Sequence, residues 1–439
     1  MCSIQNKTTI FLKMDISKIQ QIIVTNRNQI PSIEIVERSF DFDENVNYVL
    51  TGVRQAGKSY LMFQRIQSLL RAGTPIEQIL YINFDDERLL GFATEDLDLI
   101  LQAHYQMSEV KPILFFDELQ NIEGWEKFAR RLANEKYRIF ITGSNAKMLS
   151  AEFVTILGGR YMMMSVFPYS FNEYICAGNF KLEGNWQYDI NCLNHVKRLF
   201  SEYFHFGGFP ESRNVQQKRS WLSSLFKKML LGDVIARNGI KNSNSLLFLS
   251  KKLAESVGQP VSYTRMSNLV SSLGEKAQTN TMIDYVRYME DACILFSVRN
   301  ITRQFAEKEG NKKYYYCDNG ILELFLLDGN TSLLENIVAV ELKRYYGDDF
   351  YFYNGNVEVD FVIPERELAI QVSYSLGDEM SETYERETQA LIKLSKRLPY
   401  NNLLILTYDE EKTFSINGKE IEVKPVWKWM LQNSRRRNV

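Results

Sequence analysis

The chain has 439 residues, 45% of them hydrophobic and 24% charged, and a formal net charge of −2. That length allows two to four domains with ample core. The near-neutral balance excludes a global basic footprint, so any nucleic-acid contact must come from a local patch. No apolar run approaches the roughly 18 residues of a membrane-spanning helix. Five scattered cysteines (Cys2, Cys176, Cys192, Cys293, Cys317) form no C-x-x-C pair, and His104, His195 and His205 form no cluster. These features speak against a disulfide framework or a zinc site and for a reducing compartment. Without a basic-then-apolar leader, the expected location is cytoplasmic.

Residues 1–45 read as a lead-in with a helix over Ile16 to Arg27. Asn47-Tyr48-Val49-Leu50 then reads as a strand, and Ser59 to Leu70 as a helix with Met62, Ile66, Leu69 and Leu70 on one face. Between them lies Gly52-Val53-Arg54-Gln55-Ala56-Gly57-Lys58-Ser59, which fits the phosphate-binding pattern G-x-x-x-x-G-K-[ST] in the strand–loop–helix context that it requires. The glycines let backbone N–H groups cradle phosphate oxygens at a helix N-terminus. Lys58 is expected to reach the β- and γ-phosphates, and the Ser59 hydroxyl to hold Mg2+. Tyr60 completes the stretch assigned to nucleotide binding, and the lead-in is expected to pack near the nucleotide.

Up to residue 167 strand-like and helix-like stretches alternate, which predicts a parallel, doubly wound sheet. Ile79 to Phe84, Pro112 to Phe116, Tyr137 to Ile141 and Tyr161 to Phe167 are the strands; Leu97 to Tyr105 and Trp125 to Glu135 are helices. Ligands of such sheets bind at strand carboxyl ends, where the Gly52–Ser59 loop, Asp117-Glu118 and Ser144-Asn145 all fall. Asp117, after four apolar residues, is the expected Mg2+ carboxylate, and Glu118 the expected general base or water-orienting group. Asn145, or Ser144, is placed to contact the γ-phosphate or the attacking water. Arg160 is a candidate arginine finger acting on a neighbouring subunit's nucleotide, which makes a homo-oligomer the expected working form. Arg54 is a candidate contact to phosphate or nucleic acid.

The ordered series GVRQAGKS, YINFDDERLL, ILFFDELQNIEGWEKFARRL, IFITGSNAKML, GGRYMMMSVFPYSFNEYI, FGGFP and YYYCDNG resembles a group of prokaryotic AAA+-like ATPases with an AAA_14 core followed by a DUF4143 region. The resemblance implies ATP and Mg2+ as ligands. It also implies an α/β fold with a P-loop ASCE/AAA+ parallel sheet core, the catalytic Glu lying on the strand next to the P-loop strand.

The remaining stretches follow in order. Residues 168–240 read as a helical lid region, broken at Gly207-Gly208-Phe209-Pro210, with Asp233 and Arg237 spaced to pair on one helix face. Residues 241–310 resemble a winged helix, with Asn280 to Glu290 as the recognition-helix candidate and Leu295 to Val298 as a wing strand. Its cations are few, chiefly Lys276 and Arg287, so DNA and a protein partner both stand as candidates. Residues 311–439 run α-β-β-β-α and resemble a PD-(D/E)XK nuclease. Glu335 or Glu341 stands on the helix and Asp360 on a strand, but Gln371 and Ser373 occupy the places of the E-x-K pair. The expectation is an α/β nuclease-like domain without cleavage activity.

Overall fold

The computed structural model describes residues 14–144, 155–274, 278–301 and 311–436. Two compact units result: Met1–Gly52 with Gly57–Val166, and Val53–Ala56 with Phe167–Val439.

The first unit is built on five parallel strands, β1 (Asn47–Thr51), β2 (Ile79–Asn83), β3 (Ile113–Asp117), β4 (Arg138–Gly143) and β5 (Tyr161–Ser165), in the order β2-β3-β4-β1-β5. Their near-continuous apolar runs suit strands covered on both faces. Helices α1 (Ile16–Gln29), α2 (Lys58–Arg71), α3 (Leu97–Tyr105) and α4 (Trp125–Asn134) belong to the same unit. As the periodicity predicts, α4 buries Trp125, Phe128, Ala129 and Leu132. The strand order corrects one expectation: β4, not the glutamate-bearing β3, lies beside the P-loop strand β1.

The lead-in divides into two parts. Asp15 caps α1 by accepting the Ser17 N–H, and Ile19, Ile22 and Ile23 are buried. Asn26 Nδ2 donates to Tyr81 O at 3.0 Å and Arg27 Nε to Ile79 O at 2.9 Å, so α1 lies on β2, the edge strand farthest from β1 in the sheet. The stretch after it runs beside α2, where Gln67 Nε2 donates to Ile33 O (2.8 Å) and Gln64 Nε2 to Arg38 O (2.8 Å). Within the described lead-in, α1 packs on β2 and the stretch after it packs along α2.

The second unit carries an eight-stranded mixed sheet of β6 (Leu295–Asn300), β7 (Lys313–Tyr316), β8 (Tyr351–Asn354), β9 (Glu358–Ile363), β10 (Leu368–Val372), β11 (Asn402–Thr407), β12 (Lys412–Ile416) and β13 (Lys419–Pro425). Its order is β12-β13-β11-β10-β9-β8-β6-β7. The expected wing strand β6 pairs with β7 on one side and β8 on the other. The winged-helix and nuclease-like stretches thus share one sheet, and the boundary expected at residue 310 runs between paired strands. Their helices include α5 (Ser243–Glu255), α6 (Tyr263–Ser272), α7 (Thr279–Asp291), α8 (Asn330–Tyr346) and α9 (Glu382–Ser395).

Two sequence motifs meet in this unit. Gly208 N–H donates to Asp318 Oδ2 at 2.7 Å, and Gly320 N–H to Oδ1 at 2.8 Å. A Cβ on Gly207, whose φ is 71°, would stand 1.7 Å from Asp318 Oδ1. Gly207 of FGGFP therefore leaves the space that the aspartate of YYYCDNG fills, while a Cβ on Gly208 would lie 2.2 Å from Tyr169 O.

Candidate active site

The loop between β1 and α2 owes its shape to two glycines. Val166 N–H donates to Thr51 O at 2.6 Å, and a Cβ on Gly52 would lie 2.0 Å from Val166 O, so no larger residue fits. Gly57 sits at φ 93° directly before the first helical residue, and Gln55 also turns through positive φ, at 62°. Lys58 opens α2 with 5% exposure. Its ammonium donates to Gly52 O at 3.0 Å and stands 3.8 Å from Glu118 Oε1. The Arg54 guanidinium forks onto Asp233, Nε to Oδ2 at 3.0 Å and Nη2 to Oδ1 at 2.9 Å. Asp233 also stands 3.6 Å from Arg237 Nη2, the expected i,i+4 pair.

Asp117 ends β3 and is fully buried. Tyr81 donates to its Oδ2 at 2.7 Å, the Thr142 hydroxyl to its Oδ1, and the Ser59 hydroxyl hydrogen-bonds to the same carboxyl group. Burial, then repulsion from Glu118, pushes the Asp117 carboxyl above the usual range; the three hydroxyls oppose that shift. Glu118 adopts a left-handed conformation, φ 52°, uncommon for a residue with a side chain. Its N–H donates to Thr142 Oγ1 at 2.9 Å, and its Oε2 accepts from Gln120 Nε2, which also lies 3.5 Å from Ser144 Oγ. Two buried atoms at these strand ends, Thr51 Oγ1 and Gln120 Oε1, have no hydrogen-bond partner among the described residues.

The structure thus brings Lys58, Ser59, Asp117 and Glu118 together at the carboxyl ends of β1 and β3. Asn145 lies outside the described residues; Ser144 is buried at the end of β4. Tyr60 is 54% exposed, its ring edge-on to Phe63. Arg160 is exposed and donates to Gly158 O at 3.0 Å. Sequence reasoning missed Tyr81, Thr142 and Gln120. The period-2 alternation offered a signal for the first: Asn83 pairs with Asp117, and Tyr81 lies two residues back on the same face.

Fold and loop together define an AAA-type P-loop nucleotide-binding core. A family model described as AAA domain matches residues 44–175, and a model of a domain of unknown function, DUF8612, matches residues 197–332. The uncharacterized protein MJ1544 of Methanocaldococcus jannaschii is 31% identical over 428 residues, 94% of this chain and 95% of that protein. An uncharacterized protein of Haemophilus influenzae is 31% identical over 395 residues, 88% of this chain and 94% of its own length. The Walker-type ATPase PABY2304 of Pyrococcus abyssi aligns with a TM-score of 0.40 at 13% identity, over 71% of this chain and 96% of that one. The chain belongs to the family of the M. jannaschii and H. influenzae proteins. The match after the core is to DUF8612; the DUF4143 resemblance rests on the motifs alone.

Among the described residues no helix is long and apolar enough to cross a membrane.

Proposed function

We propose that the protein hydrolyses ATP to ADP and phosphate in a Mg2+-dependent reaction and couples turnover to domain movement on nucleic acid. The observation that carries the reading is the convergence of Lys58, Ser59, Asp117 and Glu118 on one set of strand ends. The donor set fits the metal: Ser59 and Asp117 offer hard oxygen ligands, already hydrogen-bonded to each other, as Mg2+ prefers. Mg2+ held there would neutralise charge on the phosphates. The N–H groups of residues 52–60 bind and orient the phosphate chain, and the Lys58 ammonium, which donates to Gly52 O here, contacts its oxygens. Glu118 orients the water and takes its proton, held in register by Gln120 at its carboxylate and by Thr142 at its N–H. Asn145 belongs to the same proposal as a contact to the γ-phosphate or water. Arg160 is proposed to serve the nucleotide of a neighbouring subunit in a homo-oligomer, and its exposure suits that role. The location proposed is cytoplasmic, from the scattered cysteines.

A second reading, a nucleotide-gated regulator or scaffold with a protein partner, draws on the helices of the winged-helix stretch. On α7 Arg287 is already paired with Asp284 (2.9 Å), and Leu269, Leu273 and Ile283 are exposed at 40%, 55% and 41%. Apolar exposure with neutralised charge suits a protein surface better than a phosphate backbone. ATP hydrolysis by wild type and Lys58→Ala, with and without single- and double-stranded DNA, separates the readings. Loss of turnover in the variant supports the P-loop assignment, and unchanged turnover overturns it. Stimulation by DNA supports the first reading; DNA-indifferent hydrolysis supports the second.

A further inference from the structure

The nuclease-like arrangement in the second unit implies a divalent metal, and with Lys313 among them its residues do not fit one. Glu335 on α8 and Asp360 on β9 come together as the topology anticipates, while Glu341 turns away to pair with Arg344 (3.3 Å). Into the cluster comes a cation from a strand outside the motif, Lys313 at the start of β7. Its side chain is completely buried, and its ammonium stands 2.8 Å from Glu358 Oε1, 3.7 Å from Glu335 Oε1 and 3.8 Å from Asp360 Oδ1. The contact to Glu358 is of hydrogen-bond length, and the other two are longer ionic contacts. The Phe352 ring lies 5.2 Å away, and Tyr315 donates to Glu335 Oε1 at 2.7 Å.

The position of the motif's second acid is equally committed. Gln371 Oε1 accepts the Asp360 N–H at 2.8 Å, and Gln371 Nε2 donates to Glu387 Oε2 at 2.6 Å. A glutamate at 371 would set two carboxylates against each other. Ser373 Oγ donates to Ser375 O at 2.9 Å. Among the described residues no three carboxylate, histidine or cysteine side chains are grouped to hold a metal ion. Burial works against the Lys313 charge, yet Glu335, Asp360 and Glu358 together outweigh it and hold the ammonium above its ordinary pKa.

We propose that Lys313 is the resident cation of this cluster: its ammonium stands where a nuclease of this topology would hold a divalent metal, and the cluster neutralises its own charge instead of supporting metal-assisted cleavage. The inference is independent of the ATPase reading. It also distinguishes two consequences of a lost E-x-K pair, an empty metal site and a site filled by another cation, and assigns the second.

The test is thermal unfolding of the full chain, without nucleotide, over a Mn2+ titration in wild type, Asp360→Asn and Lys313→Met. Any Mn2+ bound at the ATP site is common to all three and cancels. The expected result is the same Mn2+ response in wild type and Asp360→Asn. Lys313→Met should melt lower in chelator and gain a Mn2+-dependent rise of at least roughly 3 °C, because its carboxylates then lack a counter-ion. A wild-type response that Asp360→Asn abolishes overturns the proposal, as does a folded Lys313→Met without any gain. If Lys313→Met does not fold, the comparison of wild type with Asp360→Asn decides alone.

Discussion

Thr142→Val removes one hydroxyl that serves both acidic residues of the proposed site, the carboxylate of Asp117 and the backbone N–H of Glu118. Valine keeps the volume and branching of threonine, so the fully buried end of β4 gains no cavity. What disappears is the hydrogen bond to Asp117 Oδ1 and the acceptor, at 2.9 Å, of the Glu118 N–H. The Glu118 N–H loses its acceptor, which costs about 1–3 kcal/mol, while Asp117 keeps Tyr81 and Ser59 and loses one hydrogen bond of about 0.5–1.5 kcal/mol, so the loss is about 1.5–4.5 kcal/mol. The lower half is the better expectation, because the Glu118 side is only partly buried and water can reach it. The strained backbone of Glu118, φ 52°, loses its tether, and turnover should fall about 10–100-fold. Asp117 has a second, pH-dependent response. Burial already raises its pKa, and the Thr142 hydroxyl is one of the groups holding it down. The metal-binding form is the carboxylate, so activity is lost as pH falls through that pKa. The valine variant must lose activity at a higher pH than wild type. Urea unfolding and single-turnover hydrolysis from pH 5 to 8 measure these effects, and Thr142→Ser, which keeps the hydroxyl, should stay near wild type. A valine variant within about 0.5 kcal/mol and twofold of wild type, with an unmoved acid limb, would refute the reasoning.

Gly52→Ala should lower the unfolding midpoint and abolish nucleotide binding together, because its Cβ would meet a backbone oxygen at 2.0 Å that no side-chain rotation relieves; nucleotide titration of folded, unchanged Gly52→Ala protein would contradict this. Burial raises the Asp318 carboxyl to about 6, against about 4 in an unfolded chain. The folded state therefore holds a proton that the unfolded state releases, and this group's stability contribution rises as pH falls from about 8 toward 4. Relative to Asp318→Asn, wild type should gain about 1.4 kcal/mol between pH 8 and 5, and parallel stability profiles would show that the carboxylate does not titrate there.

The phosphate loop and Asp117-Glu118 were legible because each is punctuation: glycines where backbone must turn, acids directly after an apolar run. Strand order was not legible. Nothing within β3 or β4 says which one lies beside β1, since that depends on partners distant in sequence. Tyr81 and Thr142 were hidden inside runs that read as buried strand, where a hydroxyl looks like tolerated polarity until its carboxylate partner is in place. β6 reads as a wing strand because helices precede it, yet both its neighbours in the sheet, β7 and β8, come from the nuclease-like stretch. Lys313 carried no local signal at all; its meaning comes from Glu335, Glu358 and Asp360 on other elements. Arg54 was weighed as a phosphate contact, and its fork onto Asp233 was invisible because the partner lies in a distant helical stretch.

The most direct measurement of the central claim is single-turnover ATP hydrolysis by Glu118→Gln alongside equilibrium nucleotide binding. Glutamine can still accept from Gln120 and keep the backbone tether to Thr142, so the site retains its shape and loses only the carboxylate charge. ATP should bind about as tightly as to wild type while hydrolysis falls about 10²–10⁴-fold. Wild-type turnover in Glu118→Gln would contradict it and move the role of base to another residue.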